Sequence, residues 1–168
     1  MFFYYNNDKT TGWIPNRGQW YYLDKETAIM KTGWLNLSGS WYYLRSSGVM
    51  VTWWNDIYGV KYYFYEDGRM AVGDLEDNFN WYLFDINGYR KTGWQSKNNK
   101  WYYYDNITGE MLINSWLEKN NIRYFLKADG SMAIGEIVIN GVINCFDVSG
   151  KFTGTKALEK IRCYMLNF

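Results

Sequence analysis

Residues 31–50 read KTGWLNLSGSWYYLRSSGVM, and the order of residue types in this stretch decides the fold. Two short runs, Gly33-Trp34-Leu35 and Trp41-Tyr42-Tyr43-Leu44, are made of residues that suit a half-buried pleated strand. Between them Leu37-Ser38-Gly39-Ser40 favours a tight reversal, and after them Ser46-Ser47-Gly48 marks a second turn before Met50. The local reading is a β-hairpin followed by a turn.

The same syllables recur along the chain. Trp13, Trp34, Trp54, Trp94 and Trp116 open similar segments, with Asp74 and Glu136 in register, at intervals of 21, 20, 20, 20, 22 and 20 residues. Gly18-Gln19-Trp20-Tyr21-Tyr22-Leu23 leads to Met30, Lys61-Tyr62-Tyr63-Phe64 to Met70 and Trp81-Tyr82-Leu83-Phe84 to Arg90. Trp101-Tyr102-Tyr103-Tyr104 leads to Met111, Arg123-Tyr124-Phe125-Leu126 to Met132, and a degenerate Cys145-Phe146-Asp147-Val148 to Phe152. Residues 2–11 look like the second half of a further copy cut short. No helical period survives between residues 10 and 150. The predicted fold is therefore all-β, a solenoid of stacked hairpins built from repeats of about twenty residues over 1–154. A lone hairpin is marginal in water, so each copy must bury its rings against its neighbours. Residues 155–168 break the pattern: Ala157, Leu158, Ile161, Tyr164, Met165 and Phe168 fall on one face of a short helix, read as a cap or a dimer contact.

Composition narrows the chemistry. The 168 residues hold 10 Trp, 17 Tyr and 9 Phe but no His, which excludes a Ser-His-Asp triad, a Cys-His pair and a His-ligated zinc. A net charge of +1 gives no footprint for nucleic acid, and the lack of long apolar runs predicts no membrane insertion. Catalysis would survive only through carboxylates, yet Asp24, Asp67, Asp85, Asp105, Asp129 and Asp147 recur at or near the second turn, where Asp is expected for backbone reasons. The expectation is a non-enzyme with no cofactor and no metal. Met1 to Asp8 has neither a basic n-region nor a sustained apolar h-region, so any export signal is expected beyond this chain or by another route. For Cys145 and Cys163 two thiols are favoured over a disulfide.

The compound motif Gly-Trp, Gly-x-Trp-Tyr-Tyr-Leu, Gly-x-Met at residues 33–50 resembles the choline-binding repeat of Gram-positive surface proteins and of bacterial and phage wall lysins. That resemblance spans residues 2–154. It implies an extracellular module at the bacterial surface or wall, a left-handed hairpin solenoid holding phosphocholine of teichoic or lipoteichoic acid in clefts between hairpins. A quaternary ammonium cannot donate a hydrogen bond and carries a diffuse charge, so the faces of several aromatic rings suit it. By the family's rule each cleft takes two tryptophans of one hairpin, the first tyrosine of the next, and the methionine between them. Adjacent residues of a strand point to opposite faces, so Trp41 and Tyr42 serve different neighbours.

Three complete choline cages follow: Trp13, Trp20 and Tyr42 with Met30; Trp34, Trp41 and Tyr62 with Met50; Trp94, Trp101 and Tyr124 with Met111. Three other clefts are expected to bind choline weakly or not at all. Lys61 replaces the central tryptophan beside Trp54, Met70 and Tyr82, and Arg123 does so beside Trp116, Met132 and Phe146, where the cation would itself rest on the indole. The cleft of Trp81 and Tyr102 has Asp74 for its first tryptophan and Arg90 for its methionine. Similar repeats with Lys-Tyr-Tyr-Phe form the sugar-binding arms of clostridial toxins and glucan-binding enzymes, and copies three and six lean that way. The alternatives are thus a sugar-binding module, the targeting half of a wall lysin, or an adhesin stalk.

Overall fold

The computed structural model describes residues 4–5 and 8–157, and among these every regular element is a strand. After the short β1 (Tyr4–Tyr5) and β2 (Asp8–Lys9) come β3 (Gly12–Asn16), β4 (Gln19–Leu23), β5 (Gly33–Leu37), β6 (Ser40–Leu44), β7 (Trp53–Ile57) and β8 (Val60–Phe64). They are followed by β9 (Gly73–Asp77), β10 (Asn80–Phe84), β11 (Gly93–Lys97), β12 (Lys100–Tyr104), β13 (Ser115–Lys119), β14 (Ile122–Leu126), β15 (Gly135–Ile139), β16 (Val142–Phe146) and β17 (Phe152–Lys156). Consecutive strands pair into two-stranded hairpins, except that β17 adds a third strand to the last, and none of these sheets closes into a barrel. The fold is all-β and built of repeated hairpins.

Each hairpin turns through two residues, as the Asn16↔Gln19 and Leu37↔Ser40 registers require. The loop residues take left-handed backbone, Arg17 and Gly18 at φ 50° and 74°, Asn98 and Asn99 at 51° and 59°. Two consecutive positive φ values match the right-handed twist of the flanking strands. Pro15 lies within β3 opposite Trp20. A two-stranded sheet has two edges, and an edge tolerates a residue without an N–H.

The contacts fall into two compact units, residues 1–77 with 83–91 and residues 78–82 with 92–168. In the first unit Trp34 meets Tyr43 across its own hairpin at 5.1 Å and Tyr62 and Phe64 of the following hairpin at 4.9 and 5.9 Å. In the second, Trp94 meets Tyr103 at 5.2 Å and Tyr124 at 5.0 Å. Such tilted and edge-on ring pairs contribute about 0.5–1.5 kcal/mol beyond their buried area. The last residue of each second strand forms the core: Leu23, Leu44, Phe64 and Leu126 have no accessible surface.

Connectors of eight to ten residues join successive hairpins from β4 to β15, and the turn that opens each is organised by an acidic side chain where one is present. Asp24 Oδ1 accepts from the Glu26 and Thr27 amides, Asp85 Oδ1 from those of Asn87 and Tyr89, and Asp105 Oδ1 from those of Ile107 and Thr108. Asp67, Asp129 and Asp147 do the same for Arg69, Ser131 and Ser149. These carboxylates stabilise turns, as their sequence positions predicted.

The strand β17 pairs with β16 through a bulge at Cys145 and Phe146. The boundary expected after residue 154 therefore falls inside a strand. The helical tail from residue 158, its role as cap or dimer contact, and Cys163 lie outside the described residues.

Candidate functional site

Register builds the site. Trp34 stands opposite Tyr43, and Trp41 lies two residues from Tyr43 on the same strand, so all three share one hairpin face; Tyr42, opposite Leu35, takes the other. The tryptophan face of one hairpin meets the tyrosine face of the next. Accordingly Trp13 lies 5.0 Å from Tyr42, Trp34 4.9 Å from Tyr62, and Trp94 5.0 Å from Tyr124. The structure brings together the three aromatic partners around Trp34 and around Trp94, and it joins Trp13 to Tyr42.

Two clefts result. One, of ≈ 270 Å³, is lined by Trp34, Trp41, Tyr62, Met70, Asn87 and Tyr89. The other, of ≈ 320 Å³, is lined by Trp94, Trp101, Tyr124, Met132, Val148 and Ser149. No charged side chain lines either. The central tryptophans Trp20, Trp41 and Trp101 are 45%, 42% and 47% exposed, against 6% for Tyr62. An indole held on a strand yet left half in water is available to a ligand.

The methionines depart from the expectation by one repeat. Met70, not Met50, completes the cleft of Trp34, and Met132, not Met111, that of Trp94. The reason is a set of backbone hydrogen bonds that the order of the chain does not display. Each connector folds back over the hairpin before its own: the Met50 amide donates to the Trp20 carbonyl (2.8 Å), Met70 to Trp41 (2.7 Å), Met111 to Trp81 (2.8 Å) and Met132 to Trp101 (2.7 Å). Met50 thus belongs beside Trp20, in the position expected for Met30, and Met111 beside Trp81, in the position expected for Arg90. Met30 itself bridges Leu23 and underlies Gly48.

Four cleft residues were not anticipated. Tyr89 and Asn87 reach the Trp34 cleft from a connector a full repeat further on, and Val148 and Ser149 reach the Trp94 cleft in the same way. The signal for Tyr89 was an aromatic residue at the variable position of Gly-x-Met, where Val49 stands in the best copy. Burial first, and a hydrogen bond with the Tyr89 hydroxyl second, push the Tyr62 phenol up to about 12. It stays neutral at any pH where the protein would work.

The Trp116 cleft carries its own cation. Arg123 sets its guanidinium 4.4 Å over the Trp116 ring and 5.2 Å over Phe152, where a bound cation would otherwise sit. Trp54 is engaged differently, its indole N–H donating to Asp77 Oδ2 at 2.9 Å, while Lys61 is exposed.

Comparison with known proteins agrees with this construction. The profile of the choline-binding repeat matches residues 10–53 and 76–116, and that of a putative cell wall binding repeat matches residues 114–132. Among solved structures, CbpJ from Streptococcus pneumoniae is 34% identical with a TM-score of 0.81, covering 88% of this chain and 54% of that one. Choline binding protein F from Streptococcus pneumoniae, solved with a peptidoglycan analogue, is 36% identical with a TM-score of 0.79, covering 88% and 53%. The multimodular pneumococcal cell wall endolysin from phage Cp-1, solved with choline, is 29% identical with a TM-score of 0.53, covering 73% and 37%. This chain spans about half the length of the first two. Comparison with the curated proteins gives no match. With its family profile covering just over half of the chain and its hairpins superposing on those of pneumococcal relatives, this chain belongs to the choline-binding repeat family.

Proposed function

We propose that this chain is a non-catalytic module that attaches a protein to phosphocholine on the teichoic or lipoteichoic acid of a bacterial wall, through aromatic cages between successive hairpins. The observation that carries this reading is the composition of the two clefts: each offers two indoles, a tyrosine and a methionine, and no charged side chain. A primary ammonium or an anion would leave its hydrogen-bonding groups or its charge unmet among such walls. A quaternary ammonium has no N–H to satisfy and is attracted to ring faces. The cages at Trp34 and Trp94, and the one nucleated by Trp13 and Tyr42 with Met50 beside Trp20, are the proposed sites.

Each cage contributes modestly, since a cation–π contact is worth ~0.5–2 kcal/mol. A polymer that repeats its choline turns several weak contacts into firm attachment through effective concentration. Nothing in this mechanism moves a proton, in keeping with a chain that has no histidine. The described turn carboxylates that would be candidates for acid–base work already accept hydrogen bonds from backbone amides.

Retention on a tertiary-amine resin and release by free choline test the proposal. Trp41→Ala combined with Trp101→Ala, which leaves one proposed cage, is expected to be eluted well before the parent while keeping its β-sheet circular dichroism. Retention of that double variant equal to the parent's would exclude the Trp34 and Trp94 cages as attachment points.

A further inference from the structure

The cleft of Trp34 differs from that of Trp94 on one side only. Both present two indoles, a tyrosine and a methionine, but the first is closed by Tyr89 and Asn87 and the second by Val148 and Ser149. Tyr89 is 48% exposed, its ring centroid is 5.9 Å from that of Tyr62, and its hydroxyl hydrogen-bonds the Tyr62 phenol.

This contact belongs to a series. The residue before the methionine position of the connector repeatedly lies against the inward tyrosine of the hairpin one repeat earlier. Tyr82 donates from its hydroxyl to Glu110 Oε1 at 3.2 Å, and Tyr102 forms an antiparallel bridge with Ser131. The fold therefore sets a variable side chain beside that tyrosine. In the later copies this position holds an aromatic ring at Tyr89 and Arg69, Glu110, Ser131 or Lys151 elsewhere, and the Trp94 cleft is lined by Val148 and Ser149 rather than by Lys151.

Resting on the choline-cage reading above, we propose that Tyr89 is the specificity-determining residue of the Trp34 cleft, making it the tightest and most selective site of the chain for a trimethylated ammonium. A fourth ring face adds an attraction that the Trp94 cleft lacks. An unmethylated ammonium gains less here, since its N–H groups exchange water for few acceptors, the Asn87 side-chain oxygen and the tyrosine hydroxyls, whereas a trimethylated one has no N–H to satisfy. Packing against Tyr62, with ring centroids 5.9 Å apart, already restricts the Tyr89 ring, so that less conformational freedom is lost on binding.

Incorporation of 5-fluorotryptophan lets fluorine NMR follow Trp34 and Trp41 separately from Trp94 and Trp101 during titration with choline and with ethanolamine. Tyr89→Val is expected to weaken choline at the Trp34 cleft roughly three- to thirtyfold, leave the Trp94 cleft unchanged, and narrow the choline-to-ethanolamine ratio at the first site. Tyr89→Phe, which keeps the ring and loses the hydroxyl, is expected to retain most of the affinity. An unchanged Trp34-cleft affinity in Tyr89→Val, with Trp41→Ala abolishing it, would overturn the role of Tyr89 while leaving the cage intact. Equal losses in the Val and Phe variants would also overturn it, because the hydrogen bond and not the ring would then be responsible. Titration curves for Trp34 and Trp41 that Trp41→Ala or Trp34→Ala leaves unmoved would remove the underlying cage reading as well.

Discussion

The amide of Met70 donates to the carbonyl of Trp41 at 2.7 Å, although 29 residues and a complete hairpin separate them in the chain. That bond decides which cleft a methionine serves. Met70 is expected to line the Trp34 cage and Met50 the preceding one, so Met70→Ala should weaken choline at Trp34 roughly two- to tenfold, while Met50→Ala leaves it unchanged and affects the Trp13 cleft instead. Site-resolved fluorine NMR distinguishes the two. The reverse pattern would restore the assignment that sequence order suggests.

The same folding back stacks each connector on the one before it. A Cβ built on Gly88 would come within 2.5 Å of Met70 Sδ, and Gly88 has φ 75°, whereas Gly59, at φ 81°, has nothing within 4 Å. Both positions penalise an L side chain by about 1–2 kcal/mol through backbone conformation. Only Gly88→Ala must also displace a methionine from a cleft wall. Gly59→Ala is therefore expected to lower stability by about 1 kcal/mol with choline affinity unchanged, and Gly88→Ala to lower stability by about 2–3 kcal/mol and weaken the Trp34 site. Urea unfolding and choline titration of the two variants measure the difference.

Much of this architecture was legible because the repeat announces itself locally. The hairpin strands, their two-residue loops and the Trp34–Tyr62 type of contact follow from alternation and turn chemistry within two adjacent copies. The methionine register and the approach of Tyr89 to the Trp34 cleft were not legible, because they depend on amides that reach back across a whole hairpin and leave no trace in spacing. Trp53 shows a different limit. It occupies the place of Gly33 and Gly93 in the repeat, yet holds φ 63° with its ring half-exposed and 6.1 Å from Tyr63. Tertiary register there imposes a conformation that its own side chain disfavours. At the other end of the array, the bulge that lets β17 join β16 extends the last sheet beyond the repeat's nominal end.

Arg123 offers a gain-of-function test. Its guanidinium over Trp116 and Phe152 is an exposed cation–π contact worth about 0.5–1 kcal/mol to stability. Arg123→Trp restores the central indole of the repeat and removes the competing charge. Calorimetric titration of this variant is expected to show one more choline site than the parent, with Arg123→Gln losing the small stabilisation but forming no strong site. Unaltered stoichiometry in Arg123→Trp would mean that Phe146 or Phe152, and not the cation, keeps choline out.

The turn carboxylates set the acid limb of stability. The Lys31 ammonium at 2.8 Å, helped by the Thr27 amide and hydroxyl, holds Asp24 well below its ordinary 3.8. The Ser131 hydroxyl does the same for Asp129, with the Ser131 amide and Lys100 adding to it, and the Ser149 hydroxyl and Lys151 amide lower Asp147. A carboxyl whose folded pKa is depressed stabilises the fold fully above its unfolded value, and that contribution disappears as pH falls through the folded one. Thermal stability is therefore expected to hold from neutral pH to about 5 and to decline progressively below about 4, and Asp→Asn at positions 24, 129 and 147 together should flatten that decline. At the alkaline end the sign reverses. Tyr62, raised from 10.0 to about 12, favours the folded state below pH 10 and loses that preference as pH climbs toward 12. Tyr62→Phe should shrink this limb, to which Tyr43 and Tyr63, also raised, contribute in the same direction, and circular-dichroism melts across both ranges would register each change; an acid limb unaltered in the triple Asn variant would assign acid sensitivity to other groups.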